Sequence, residues 1–276
     1  MTTRALALVT FLIVALPAAL YGQKAGSVKV EVFGLSIGKP SPKMDGENSG
    51  SFGAFAVQPG TRVTLWLSDL SRQIVDLDEK ASKITAFTDD KGTDLLKKET
   101  KKGLGGFSFG FGPLSASVSP DKHHCTVEIR AENRPVEGAV GIRLKVDLVL
   151  KCGVGEKVAE TKNANLAKGT KLAGGPLDFK VAEVGNESFG DAKMSLSLET
   201  EGDIAAIKQI AFFDADGKEI KSRRMGWSSS GFGGKMTHHI NYGLDKQVDQ
   251  ATAKITYFEK IEAVTVPVDV KTGLGF

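Results

Sequence analysis

A fourteen-residue segment at positions 207–220, IKQIAFFDADGKEI, has an ungapped second copy at positions 82–95, SKITAFTDDKGTDL. The two copies keep a Lys, an Ala, a Phe, an Asp and a Gly at corresponding places. Adjacent histidine pairs follow both copies, at His123 and His124 and at His238 and His239. A repeat of this length predicts two copies of one domain, because solenoid units are only about 20–50 residues long.

The expected domain limits follow from the repeat. We expect a signal peptide at 1–22, a first β-sandwich domain at 26–165 and a second one at 168–276. Each domain then has the size of an ordinary folding unit. The polar, glycine-rich stretch at 153–175 favours a boundary there.

Alternating apolar residues predict β-strands in both copies. Residues 28–32, 63–67 and 140–150 place an apolar side chain at every second position, which is the period of a strand with one buried face. Trp66 falls on the face opposite the inferred core, and Pro267 indicates an edge position for the last strand. With 32 glycines and no long helical period, the predicted fold class is all-β, with two tandem immunoglobulin-like β-sandwich domains from an internal duplication.

The N-terminus has the pattern of a secretory signal. Arg4 precedes an apolar run at 5–16, and Pro17 and small residues follow. We expect cleavage between Ala18 and Gln23, a secreted or periplasmic location, and no membrane span after cleavage. The alternative is an uncleaved membrane anchor, although the run is shorter than the roughly 20 residues that cross a bilayer.

Export makes Cys125 and Cys152 a possible disulfide. If their strands form a hairpin about a turn at 133–138, Cys125 lies opposite Val146. Cys152 is then about six residues farther along, which is too far to bridge at roughly 3.4 Å per residue. A disulfide therefore needs another pairing, such as contact across two sheets. The alternative, which we expect, is two buried free thiols.

The repeated hairpins contain the turn sequences TDDKGT and DADGKE, in which Asp and Gly stand where a tight turn needs positive φ. Asp214, Asp216 and Glu219 are also candidate calcium ligands. A calcium loop, however, needs another acidic residue before its glycine and a distal Glu. The favoured interpretation is a structural turn.

Both hairpins are followed by basic residues and then by glycine and aromatic residues. The candidate ligand-binding residues are Phe107, Phe109, Phe111, Trp227 and Phe232, whose rings suit the stacking of sugars or aromatic ligands. The alternative is that the three Phe residues at alternate positions share one strand face and fill the core. The basic residues before these tracts are typical of a solvated face, but they also suit an anionic polymer.

The closing segment at 251–276, ATAKITYFEKIEAVTVPVDVKTGLGF, the two hairpins and the signal peptide together resemble uncharacterised secreted tandem β-sandwich proteins of planctomycete-type bacteria. The likeness covers most of the mature chain and rests on structural motifs. The resemblance implies the fold and export, and it carries no activity.

No catalytic or metal site is predicted. The chain lacks G-x-S-x-G and H-E-x-x-H motifs, and neighbouring histidines of a strand point to opposite faces. We expect no cofactor, and a net charge of +3 gives no global basis for nucleic-acid binding. The leading hypothesis is a non-catalytic secreted or cell-envelope protein that binds a protein or polysaccharide partner. The alternative is an extracytoplasmic enzyme with an unrecognised site, acting on glycans.

Overall fold

The fold consists of antiparallel β-strands, with one 3-10 turn at Ile204–Ala206, in the part of the chain that the structure describes. The structure is a computed structural model that describes residues 23–25, 28–38, 59–69, 71–97, 112–185, 191–232 and 235–274. The expected signal peptide lies outside these residues, as do Phe107, Phe109 and Phe111. The predicted all-β class is confirmed for the described residues.

Sixteen strands are described in chain order. The first eight are β1 (Gln23–Ala25), β2 (Val28–Gly38), β3 (Gly60–Ser68), β4 (Gln73–Leu77), β5 (Lys83–Asp89), β6 (Leu114–Val118), β7 (His124–Ala131) and β8 (Gly141–Asn165). The second eight are β9 (Lys171–Gly174), β10 (Leu177–Gly185), β11 (Met194–Glu201), β12 (Ile207–Phe213), β13 (Glu219–Ile220), β14 (Ser222–Phe232), β15 (Lys235–Leu244) and β16 (Gln250–Gly273). The strands predicted from alternation are therefore present, and β8 extends beyond its predicted end.

The strands form three antiparallel sheets. The first sheet has the order β1-β2-β3-β7-β6, and the second sheet has the order β9-β10-β11-β15-β14. The two orders correspond strand for strand along the chain. The third sheet, here called the shared sheet, has the order β13-β12-β16-β8-β4, with β5 also paired to β8.

Two hydrophobic cores lie between these sheets. The first core packs the inner face of the first sheet, with Leu65 and Ile129, against Phe87 of β5 and Leu148 of β8. The second core packs the inner face of the second sheet against Phe212 of β12 and the start of β16. In both cores the buried residues of a strand alternate with polar ones. This two-residue alternation is why the strands could be predicted from the sequence.

The long strands β8 and β16 each contribute to both cores. They pair with each other from Gly141 opposite Gly273 to Asn165 opposite Gln250. Val266 and Val268 of β16 are buried in the first core, whereas Ala164 of β8 is buried in the second. Residues 264–270, which the sequence places in the second domain, thus complete the first core.

The stretch expected to hold the domain boundary, at 153–175, is strand up to residue 165. Its glycine and polar composition has a packing reason at Gly153. A Cβ atom at this position would lie 2.4 Å from Cγ of Phe258, so only glycine leaves room for the ring. Phe258 is 2% exposed and belongs to neither core cluster. It therefore marks the junction between the two cores.

Pro267 pairs with Asp147 of β8 on one side. On the other side, β12 pairs with β16 only as far as Tyr257. Among the described strands, none pairs with β16 at Pro267 on the side away from β8. The predicted edge position is therefore confirmed at Pro267, although β16 has partners on both sides nearer its start.

The hairpin register expected for Cys125 is wrong. Cys125 lies opposite Leu67 of β3 and Val118 of β6, because the connection after β7 crosses to the other sheet instead of turning back. Cys152 lies in the shared sheet, opposite Ile74 and Glu262. The two cysteines are thus on facing sheets of the first core. Both are buried, and they are not joined by a disulfide.

Candidate functional site

Three aromatic side chains form a row on the outer face of the first sheet. The ring of Trp66 stacks on the imidazole of His124, with centroids 5.1 Å apart and an interplanar angle of 29°. The ring of Phe33 lies 5.9 Å from Trp66 at 38°. The three residues come from the adjacent strands β2, β3 and β7, so the row, here called the aromatic row, runs across the strands.

Strand parity and one bulge place these rings outside the core. Trp66 alternates with the fully buried Leu65 and Leu67, so its side chain points to the opposite face. In β2 the register shifts between Val32 and Gly34, which leaves Phe33 as the extra residue of a β-bulge. A bulge redirects a side chain and increases the local twist. Phe33 is accordingly 70% exposed.

Polar groups surround the aromatic row on the same face. Glu31 and Thr126 lie directly opposite Trp66 on the neighbouring strands, and Ser117 lies opposite Thr126. Glu31 is paired with Lys29 at 2.7 Å. A partly exposed aromatic platform among hydroxyl and carboxylate groups suits a sugar, whose C–H face packs on a ring while its hydroxyls need hydrogen-bond partners.

His124 is positioned by the turn before β7. Its backbone N–H donates a hydrogen bond to Oγ of Ser119 at 3.0 Å, and its carbonyl accepts one from the same hydroxyl. Nε2 of the ring lies 3.8 Å from a carboxylate oxygen of Asp121. Hydrogen bonds from the Ser119 hydroxyl and the His123 amide lower the pKa of Asp121, so it remains an anion beside the histidine.

The second sheet has a histidine at the corresponding place. His239 of β15 lies opposite Glu199 of β11, just as His124 of β7 lies opposite Ser68 of β3. The position of Trp66, two residues before Ser68, is taken by Ser197 in the second sheet. The two outer faces therefore differ, and the aromatic row belongs to the first sheet.

Trp227, a predicted site residue, lies on β14, the outermost strand of the second sheet in the described structure. Its side chain is 59% exposed, and Met225 of β14 and Met236 of β15 are also exposed. No ring contact is recorded for Trp227 within the described residues. Phe232 ends β14 opposite Lys235. Trp227 is thus exposed in the described structure, and its predicted grouping with Phe107, Phe109 and Phe111 remains a prediction because those three residues lie outside the described part.

The repeated hairpins have the predicted turns. Oδ1 of Asp89 accepts hydrogen bonds from the amides of Lys91 and Thr93, at 3.0 and 2.8 Å. Asp214 accepts one from the amide of Lys218 at 2.9 Å and another from the ammonium of Lys246 at 3.0 Å. The lysine hydrogen bond, followed by the amide, lowers the pKa of Asp214. Both carboxylates therefore serve the turn.

The buried thiols are poor nucleophiles because burial raises the pKa of Cys125 to about 12 and also raises that of Cys152. In the described parts of the chain, no three His, Cys, Asp or Glu side chains group together as metal ligands.

Part of the aromatic row could have been identified from the sequence alone. A tryptophan at a polar position of an alternating strand is a signal, and Trp66 carried it. Phe33 and His124 are found only from the strand order, because they are neighbours of Trp66 across strands and not along the chain.

None of the helical segments in the described residues has the length and apolar character of a membrane span. No protein-family model, curated protein or solved structure matches the chain.

Proposed function

We propose that this chain is an exported, non-catalytic protein that binds a polysaccharide on the outer face of its first sheet. The observation that carries the proposal is the aromatic row, in which Phe33 is 70% exposed next to Trp66. Scattered apolar residues are normal on protein surfaces, but three contacting rings on three adjacent strands form a platform. A platform open along the strands suits a polymer better than a small molecule, which binds in a concave pocket.

Export is part of the proposal and rests on the signal pattern at 1–22. Two immunoglobulin-like sandwiches arising from an internal duplication are a further part. The matching strand orders of the first and second sheets support duplication, as do the equivalent positions of His124 and His239.

Truncation of the aromatic row tests the proposal. Retention of the mature protein is measured by affinity electrophoresis in soluble polysaccharides and by pull-down on cellulose and agarose. An aromatic anchor contributes about 2 kcal/mol or more, which corresponds to roughly thirtyfold in affinity. We expect Trp66→Ala and Phe33→Ala each to weaken binding by about this factor.

Trp227→Ala is the matched control, because it removes a tryptophan, more exposed than Trp66, from another strand and sheet. We expect it to bind as the wild type does. Circular dichroism of each variant confirms that the fold is retained. Loss of binding in Trp227→Ala alone would move the site to β14, and retention on no polysaccharide would contradict the proposed function.

A further inference from the structure

A surface cleft lies on the outer face of the second sheet, at the place that corresponds to the aromatic row of the first sheet. Ser197 stands there where the first sheet has Trp66. The bulge of β2 is also matched, because the register of β10 shifts between Val181 and Glu183. The cleft has a volume of about 470 Å³ and is lined by residues of four adjacent strands. This volume is in the range of small-ligand sites, about 300–1,000 Å³.

One wall of the cleft is Met225, the extra residue of a bulge in β14. The register of this strand shifts between Arg224 and Gly226, and Met225 is 38% exposed. The Met225 side chain lies over Gly243 of β15, where a Cβ atom would be 2.8 Å from the Met225 sulfur. Glycine at this position therefore leaves the room that the thioether fills. Bulges thus lie on both sides of the cleft, and bulges often redirect side chains beside functional sites.

Polar side chains of the other three strands line the rest of the cleft. Glu183 of β10 lies opposite Ser197 of β11, which lies opposite Asn241 of β15. Ser195, two residues before Ser197, is on the same face. Glu183 and Asn241 are exposed, and the two serines are half-buried. Within the part of the chain that the structure describes, none of these four side chains takes part in a hydrogen bond or an ion pair. All four can therefore hydrogen-bond to a ligand.

We infer that this cleft is a second binding site and that its ligand is a single neutral sugar residue. Each hydroxyl of a sugar both donates and accepts hydrogen bonds. The cleft offers the Glu183 carboxylate as an acceptor, the Asn241 amide as a donor and acceptor, and two serine hydroxyls that can do either. The flexible thioether of Met225 packs on the C–H face of the sugar ring. This site is separate from the aromatic row, and it holds its sugar mainly by hydrogen bonds instead of by stacking.

The experiment titrates the full chain with glucose, mannose, galactose and N-acetylglucosamine, and saturation-transfer difference NMR measures binding. Glu183→Gln removes the charge of the acceptor and keeps its size. Ser197→Trp introduces the ring that the first sheet carries at Trp66, and so fills the cleft. The matched control is Glu219→Gln, which removes the charge of an exposed glutamate on the shared sheet. Circular dichroism shows whether each variant is folded.

We expect at least one of the four sugars to bind to the wild type. A hydrogen bond to a charged group is worth about tenfold or more in affinity, so Glu183→Gln should weaken binding by about that factor. Ser197→Trp should abolish binding, because the ring occupies the place of the sugar. Glu219→Gln should bind the sugar as the wild type does.

Binding of none of the four sugars would overturn the second site. So would unchanged binding in Glu183→Gln or in a folded Ser197→Trp variant, and an equal loss in Glu219→Gln. If Ser197→Trp does not fold, Glu183→Gln decides the question alone. The proposed function is tested separately, because retention on polysaccharides that depends on Trp66 and Phe33 would stand whatever these titrations show.

Discussion

Substitution of Gly153 by alanine tests the junction between the two cores. The added Cβ would lie 2.4 Å from Cγ of Phe258 and 2.5 Å from both Cδ atoms. Carbon atoms in contact prefer about 3.5–4.0 Å, so the ring has to move by more than about 1 Å. Phe258 is 2% exposed, and the surrounding strands leave it no solvent to move into.

The expected loss of stability follows from this overlap. Overpacking of a buried site costs about 1–3 kcal/mol. For a chain of this size, about 2 kcal/mol corresponds to a decrease in Tm of roughly 4 °C. A glycine-to-alanine change also stabilises a protein by about 0.4–1 kcal/mol, because it restricts the unfolded chain. The overpacking cost is larger than this gain, so the net effect is a loss of stability.

Differential scanning calorimetry of Gly153→Ala and Gly141→Ala measures the effect. Gly141 is on the same strand, but a Cβ there would meet Thr272 O at 3.5 Å and Asp90 Cβ at 3.8 Å, which are ordinary contacts. We expect Gly141→Ala to match or exceed the Tm of the wild type. A Tm for Gly153→Ala as high as that of Gly141→Ala would refute the packing argument.

Three further results are expected. Because β8 and β16 run through both cores, the chain should unfold in one calorimetric transition. Leu65→Ala and Leu198→Ala should each lower the midpoint of that transition, since each costs about 2–5 kcal/mol of unfolding free energy. Two transitions, only one of which shifts in each variant, would show that the two halves unfold independently. A hydrogen bond from Arg143 lowers the pKa of Asp269 to about 2 from its ordinary value of 3.8. The ionised Asp269 therefore contributes fully to the stability of the folded protein above pH 3.8, and this contribution is lost as the pH falls through 2. Since this carboxylate is 41% exposed, we expect Asp269→Asn to lower the free energy of unfolding by less than about 1 kcal/mol at pH 7. Below the pKa of about 2, where the carboxyl is protonated, the substitution should cost nothing. An equal cost at both pH values would argue against the ion pair. Cys125 and Cys152 should be free thiols that resist alkylation in the native protein, and an intact mass two hydrogens lighter before reduction than after it would show a disulfide across the sheets.

The sequence predicted what local patterns control. Alternation identified the strands and the outward direction of Trp66, and the Asp-Gly turns identified both hairpins, because these features depend on residues close together in the chain. It did not predict strand partners. Alternation gives the face on which Cys125 lies but not which strand lies beside it, so the hairpin register failed when the chain crossed to the other sheet.

The candidate site was missed for the same reason. Phe33 reaches Trp66 only through a bulge, and His124 reaches it only because β7 pairs with β3 from a distant part of the chain. In the glycine-rich stretch at 153–175, the need for glycine at Gly153 also comes from a residue distant in the chain, because the ring of Phe258 fills the space that a Cβ would take.

The pairing of β8 with β16 also limits how the two halves of the chain can move relative to each other. Domains joined by a flexible linker adjust their spacing to a partner, and their combined avidity depends on linker length. Here the connection is a two-stranded ribbon of β8 and β16 that contributes buried residues to both cores. A change in the angle between the two halves must therefore bend this ribbon or break hydrogen bonds of its antiparallel ladder, which a change in a flexible linker does not require.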